Sequence, residues 1–160
     1  MRLTWEQVKG ASGYVVYRKD ADDSGWTKLA TVTGTSYTDT DGLKSGTTYR
    51  YTLRAQKNQT LSGYQSSGYT DIWLSVPTLS KAVSGSRGIQ VTWSKVAGAD
   101  SYRVYRKTSG SGWTLLGTVS GTSYTDQSVS SRTAYTYTVR ACRNSYLSDY
   151  DHGGISAAAK

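Results

Sequence analysis

The sequence predicts an all-β chain built from two copies of one small antiparallel module. Three observations carry this expectation. Aromatic segments bounded by glycine occur twice in the same order. Apolar and polar residues alternate with a period of two. No window holds the sustained i, i+3, i+4, i+7 apolar spacing of an amphipathic helix. Composition points the same way: the 160 residues include 14 tyrosines and 5 tryptophans, which with Val and Thr suit a pleated, half-buried surface.

The repeat sets the domain organisation. Trp5-Glu6-Gln7-Val8-Lys9-Gly10-Ala11 returns as Trp93-Ser94-Lys95-Val96-Ala97-Gly98-Ala99. Gly34-Thr35-Ser36-Tyr37-Thr38-Asp39 recurs unchanged as Gly121-Thr122-Ser123-Tyr124-Thr125-Asp126. Tyr49-Arg50-Tyr51-Thr52-Leu53-Arg54-Ala55 returns as Tyr135-Thr136-Tyr137-Thr138-Val139-Arg140-Ala141. The offset drifts from 88 to 86, and both deletions fall in turn-like segments, where loops absorb them. A period near 87 is a domain length, and a domain of this size can fold alone. The domains read as residues 1–76 and 77–160. The joint, Ser75-Val76-Pro77, is short and carries the one proline, which predicts an elongated, fairly stiff pair.

In the second copy, strands are expected at 89–93, 101–107, 114–119 and 134–142, separated by Gly, Ser, Asn and Asp clusters. Many short strands at even spacing argue for a sandwich or barrel. Alternation assigns faces. Tyr135, Tyr137, Val139 and Ala141 point inward, and Thr136, Thr138 and Arg140 outward. The first copy agrees, with Tyr49, Tyr51, Leu53 and Ala55 inside. Tyr102 and Val104 share one face of their strand, and Arg103 and Tyr105 the other. The single cysteine, Cys142, lies in a strand and reads as a small buried hydrophobe.

These segments resemble the bacterial form of the fibronectin type III module. The marks are Trp5 and Trp93 on the second strand, Tyr14–Arg18 and Tyr102–Arg106 on the third, the Thr-Ser-Tyr-Thr-Asp segment, and the Tyr-x-Tyr-x-[Leu/Val]-Arg-Ala sixth strand. Leu43 before Tyr49, and Val129 before Tyr135, are similar to the family's corner leucine and tyrosine corner, where the Tyr hydroxyl bonds to backbone a few residues upstream. The resemblance covers nearly the whole chain. It implies seven strands in two antiparallel sheets per module, an immunoglobulin-like sandwich, with a structural core of Trp5, Tyr14, Leu43, Tyr49, Trp93, Tyr102, Val129 and Tyr135.

The two copies are unequal. Residues 78–88 of the second copy hold the place of the family's first strand. The first copy has no counterpart, because Met1 aligns with Ile89. The preferred explanation is truncation or processing. The alternative is a strand supplied by another chain or a flanking segment. Charge is uneven too: the net charge is +8 overall, +2 over residues 1–76 and +6 over 77–160. A positive field of this kind favours anionic partners such as acidic glycans.

Catalysis needs a nucleophile, a base and an orienting group within reach. The only histidine is His152, expected in a solvated loop. Asp20-Ala21-Asp22-Asp23 opens like a calcium loop, but Thr31 stands where the closing carboxylate belongs. It reads as a hairpin turn able to hold a cation only weakly. No zinc spacing, phosphate loop or dinucleotide fingerprint is present. No catalytic, metal-ligating or cofactor-binding residue is assigned, and no cofactor is expected. No apolar run approaches a membrane span. No nucleic-acid motif accompanies the charge. Met1-Arg2-Leu3-Thr4-Trp5 runs straight into module sequence without a signal-peptide pattern, so the chain is read as cytoplasmic or as a piece of something longer.

Two surfaces remain for binding. One is the outward face of the third and sixth strands. It carries Tyr17, Lys19, Arg50 and Arg54 in the first copy, and Arg103, Tyr105, Lys107 and Arg140 in the second. Arginine over tyrosine is attractive there. The other is the last loop of the second copy, with Tyr146, Tyr150 and His152, where Leu147 reads as a structural plug. Trp26 and Trp113 are expected to pack over their hairpins. By resemblance, the expected role is that of a non-catalytic extracellular spacer and interaction module in a larger bacterial surface or secreted protein. Its expected partners are neighbouring domains and an anionic glycan or protein ligand. The alternative is a dedicated binding module for an anionic glycan or host protein.

Overall fold

The computed structural model describes residues Met1–Lys160. The chain divides into two compact units, Met1–Trp73 and Leu74–Lys160. The sequence places the joint slightly later, after residue 76. Leu74 and Pro77 are both buried, so the proline-bearing segment belongs to the core of unit two.

Unit one contains β1 (Arg2–Thr4), β2 (Gly13–Asp20), β3 (Thr27–Val32), β4 (Ser36–Thr38), β5 (Thr48–Lys57), β6 (Thr60–Leu61) and β7 (Tyr69–Ile72). Strand β1 pairs with β4 alone, and the other sheet runs β3-β2-β5, with β6 and β7 sharing the far edge of β5. Unit two contains β8 (Leu79–Gly85), β9 (Gly88–Trp93), β10 (Ser101–Lys107), β11 (Thr114–Val119), β12 (Ser123–Asp126), β13 (Ala134–Arg143), β14 (Tyr146–Leu147) and β15 (Ile155–Ala158). Its sheets are β8-β9-β12 and β11-β10-β13, with β14 and β15 on β13. All pairings are antiparallel. The chain is thus all-β, and the strand order is the one a fibronectin type III sandwich implies.

Each sandwich closes over alternating side chains. In unit two, Ile89, Val91 and Trp93 from one sheet meet Tyr102, Val104, Tyr137 and Val139 from the other, all buried. Trp93 lies against Tyr102 with ring centroids 5.6 Å apart, and Trp5 against Tyr14 at 5.4 Å. The corners form in both copies. The Tyr49 hydroxyl accepts from the Lys44 amide at 2.8 Å, and the Tyr135 hydroxyl from the Ser130 amide at 3.0 Å. Leu43 and Val129 beside them are half-buried. So is Trp5, because no strand flanks β1 as β8 flanks β9.

One expectation, the exposure of Thr138, needs correction. The last strand of each sandwich is interrupted. In unit two, residues 148–154 leave the sheet between β14 and β15. Thr138, expected on the solvent face, is buried, because that loop folds over it: the Thr138 hydroxyl donates to the Asp151 carbonyl at 2.8 Å. Alternation gives the face of a residue, but an overlying loop decides its exposure.

Candidate functional site

The outer face of β10 and β13 is built by register. Arg103 lies opposite Arg140, Tyr105 opposite Thr138 and Lys107 opposite Thr136, so all six side chains project from one side. The returning loop adds Tyr150, and the residue just before β11 adds Trp113. Together Tyr105, Trp113, Thr138, Arg140 and Tyr150 line a shallow recess of about 200 Å³.

Its walls are aromatic and cationic. Trp113 and Tyr150 meet edge-on with centroids 6.2 Å apart. The Lys107 ammonium sits 4.4 Å from the Trp113 centroid, and the Arg140 guanidinium 5.7 Å from that of Tyr150. Such contacts are worth about 0.5–1 kcal/mol each when exposed. Arg140 is oriented from below, because its Nε donates to the Ser148 carbonyl at 2.7 Å. Gly154, at φ +65°, lies under the tryptophan: an added Cβ would fall 2.4 Å from the Tyr137 carbonyl and 3.1 Å from the Trp113 ring. The indole thus lies between Lys107 of its own hairpin and the Gly154 backbone.

Among the sequence candidates, Tyr105, Arg140 and Tyr150 come together here, with Lys107 over Trp113. His152 stacks on Tyr150 at 4.2 Å and is 72% exposed, 3.7 Å from Asp149. An exposed pair at that range contributes little. Arg103 shares the face but does not line the recess. Tyr146 lies opposite Arg143 at the far end of β13. The same clip recurs in unit one, where Trp26 meets Tyr64 at 6.3 Å, Lys19 lies over Trp26 at 5.2 Å and Arg54 over Tyr64 at 5.9 Å. Unit two differs chiefly by carrying His152 and Asp149 where unit one has Ser66 and Gly63.

A second polar cluster went unnoticed in the sequence. Asp126, 1% exposed, accepts from Arg106 at 2.7 Å, from Tyr137 at 2.9 Å and from the Ser128 amide and hydroxyl at 3.0 and 2.7 Å. Burial pushes this carboxyl up. The hydrogen bonds from Ser128, Arg106 and Tyr137 outweigh burial and hold it below its ordinary value. Burial and the neighbouring carboxylate push the Tyr137 phenol well above its ordinary range. Unit one repeats the arrangement with Arg18, Asp39 and Tyr51. These groups tie the two sheets together. The recurrence of both residues in the repeat, at offsets of 88 and 87, was the available signal.

No family model matches the chain. It is 32% identical over 169 aligned positions to Exoglucanase B of Cellulomonas fimi, a match covering 94% of this chain and 14% of that protein. It is 33% identical over 87 positions to the poly(3-hydroxybutyrate) depolymerase of Ralstonia pickettii, covering 54% of this chain and 17% of that protein. The chain therefore spans a minor part of both relatives. Among solved structures, the FN1-FN3 domains of chicken CNTN1 align at 18% identity with a TM-score of 0.48, over 99% of this chain and 62% of that one.

Proposed function

We propose that the chain is a non-catalytic, extracellular spacer and interaction module of a larger bacterial polymer-degrading protein. One observation carries this: nearly all of the chain, 94%, aligns with only 14% of an exoglucanase. A segment of that kind accompanies an activity housed elsewhere. The polar clusters agree in character, since Asp126 and Asp39 are each held by structural partners. A tethered module of this type acts by fixing the distance and local concentration of its neighbours.

A second reading is a binding module for an anionic glycan, favoured by the recess of unit two. Its cations, Lys107 and Arg140, suit a ligand bearing a carboxylate or sulfate.

One experiment addresses both. A glucanase catalytic domain is assayed alone and joined to this chain, on soluble and on insoluble substrate, and the isolated chain is run in affinity gels containing acidic or neutral glycan. Spacer function predicts no turnover by the chain alone, and a gain on insoluble substrate only when it is joined. Equal rates with and without the chain would reject it. Binding predicts retardation in the acidic gel that Arg140→Ala with Trp113→Ala abolishes. Unchanged mobility would reject the glycan reading.

A further inference from the structure

On the outer face of unit two, β10 and β13 run in unbroken register from Ser101↔Cys142 to Lys107↔Thr136, and Arg103 stands directly opposite Arg140. Like charges set across a ladder repel, and nothing in the protein relieves this pair. Arg103 makes no hydrogen bond or ion pair. Arg140 uses only its Nε, on the Ser148 carbonyl. The carboxylates of the returning loop, Asp149 and Asp151, accept instead from the Tyr150 and Gly153 amides. Further along β10, Lys107 lies over Trp113, also without an ion pair. A strand advances about 3.3 Å per residue, so the Arg103/Arg140 and Lys107 poles stand about 13 Å apart. The aromatic recess at Tyr105 and Thr138 lies between them. Unit one repeats the plan with the other pole doubled. Lys19 and Arg54 keep the places of Lys107 and Arg140, but the third cation, Arg50, stands opposite Lys19, and the buried Val15 faces Arg54. The Arg50 Nε is buried without a hydrogen-bond partner.

We infer that the outer face of unit two binds a linear acidic glycan lengthwise along β10 and β13, with one anionic group between Arg103 and Arg140 and the next at Lys107. This rests on the anionic-glycan reading and deepens it, adding Arg103 and a direction. An oxyanion set between two guanidiniums turns their repulsion into charge-assisted hydrogen bonds. The separation of the poles selects the charge pattern of the ligand. A polymer charged on every second sugar reaches both poles, with its uncharged ring over Tyr105 and the recess. Nucleic acid fits less well, because its phosphates follow at close intervals along each strand and the recess offers them no further cation of its own besides Arg140.

The test titrates the full chain with hyaluronan oligosaccharides, which carry a carboxylate on alternate sugars, and follows backbone amides by NMR. The tetrasaccharide, with two carboxylates, should shift signals at both Arg103 and Lys107 and bind at least tenfold more tightly than the disaccharide. Arg103→Gln and Lys107→Gln should each weaken the tetrasaccharide about tenfold, the effect of one charge-assisted hydrogen bond. Lys95→Gln, the same charge change in an exposed segment outside the strands, should leave affinity unchanged. Equal affinity for the two oligosaccharides overturns the two-pole placement. So does an Arg103→Gln variant that binds normally while Arg140→Ala with Trp113→Ala still abolishes binding, and that outcome leaves the recess reading standing. An equal loss in Lys95→Gln overturns the site in favour of net charge. Tighter binding of a single-stranded DNA of equal charge overturns the glycan as occupant. No binding of either oligosaccharide, with unchanged mobility in the acidic gel, overturns this proposal and the glycan reading together.

Discussion

Units one and two share their corners and clips and every strand but β8, yet equivalent core positions live in different surroundings. Trp93 is sealed beneath β8, while Trp5 stands at a sheet edge. The difference teaches that a core residue is defined by its cover as much as by its type. An identical tryptophan at an identical register contributes according to how much water its neighbours exclude.

Truncation is the strongest way to break this comparison. Trp93→Ala should cost unit two about 3–5 kcal/mol. Trp5→Ala should cost unit one about half of that, since less apolar surface returns to water. Chemical denaturation followed by NMR signals from each unit measures both, and equal losses would contradict the account.

The next largest effect concerns the buried carboxylates. Arg106→Met leaves Asp126 buried without its cation, at a cost of about 2 kcal/mol once the partial exposure of the guanidinium is discounted. A pH series sharpens the point. Asp126 titrates lower folded than unfolded, so its stabilisation is complete above the unfolded value of about 3.9 and fades as pH falls through the lower folded value. The thermal midpoint of unit two should drop across that acid window, and the drop should shrink in Arg106→Met. An acid midpoint that the variant leaves unchanged would remove Asp126 from the explanation.

The smallest effect should be equal in the two units. Tyr49→Phe and Tyr135→Phe each remove one corner hydrogen bond, at about 1 kcal/mol, because both corners lie away from β1. A marked inequality would mean that the edge at β1 weakens unit one beyond its own vicinity.

Much of this architecture was legible in the sequence. Repetition exposed the modules, alternation placed Tyr137 and Val139 inward, and the resemblance to fibronectin type III marked the corners at Tyr49 and Tyr135. The rest depended on chain paths that no period encodes. Thr138 is buried by a loop that returns after an interruption, so local alternation could not reveal it. Trp113 meets Tyr150 across a separation of 37 residues, and only the fold brings them together. In the sequence Asp126 is only the last residue of a repeated segment, and its role depends on Arg106 and Tyr137 reaching it from another sheet. Tyr14 and Tyr102 read as core aromatics, yet each hydroxyl also accepts a backbone amide, from Val8 and Val96.

Strand β1 is held by three residue pairs on one side, whereas β9 is laced on both. In a chain under tension, hydrogen bonds along a lone short ladder fail before those of a strand secured on both flanks. The only cysteine is unpaired, so no covalent crosslink limits extension. Stretched in a single-molecule pulling experiment, unit one should therefore yield at a lower force than unit two.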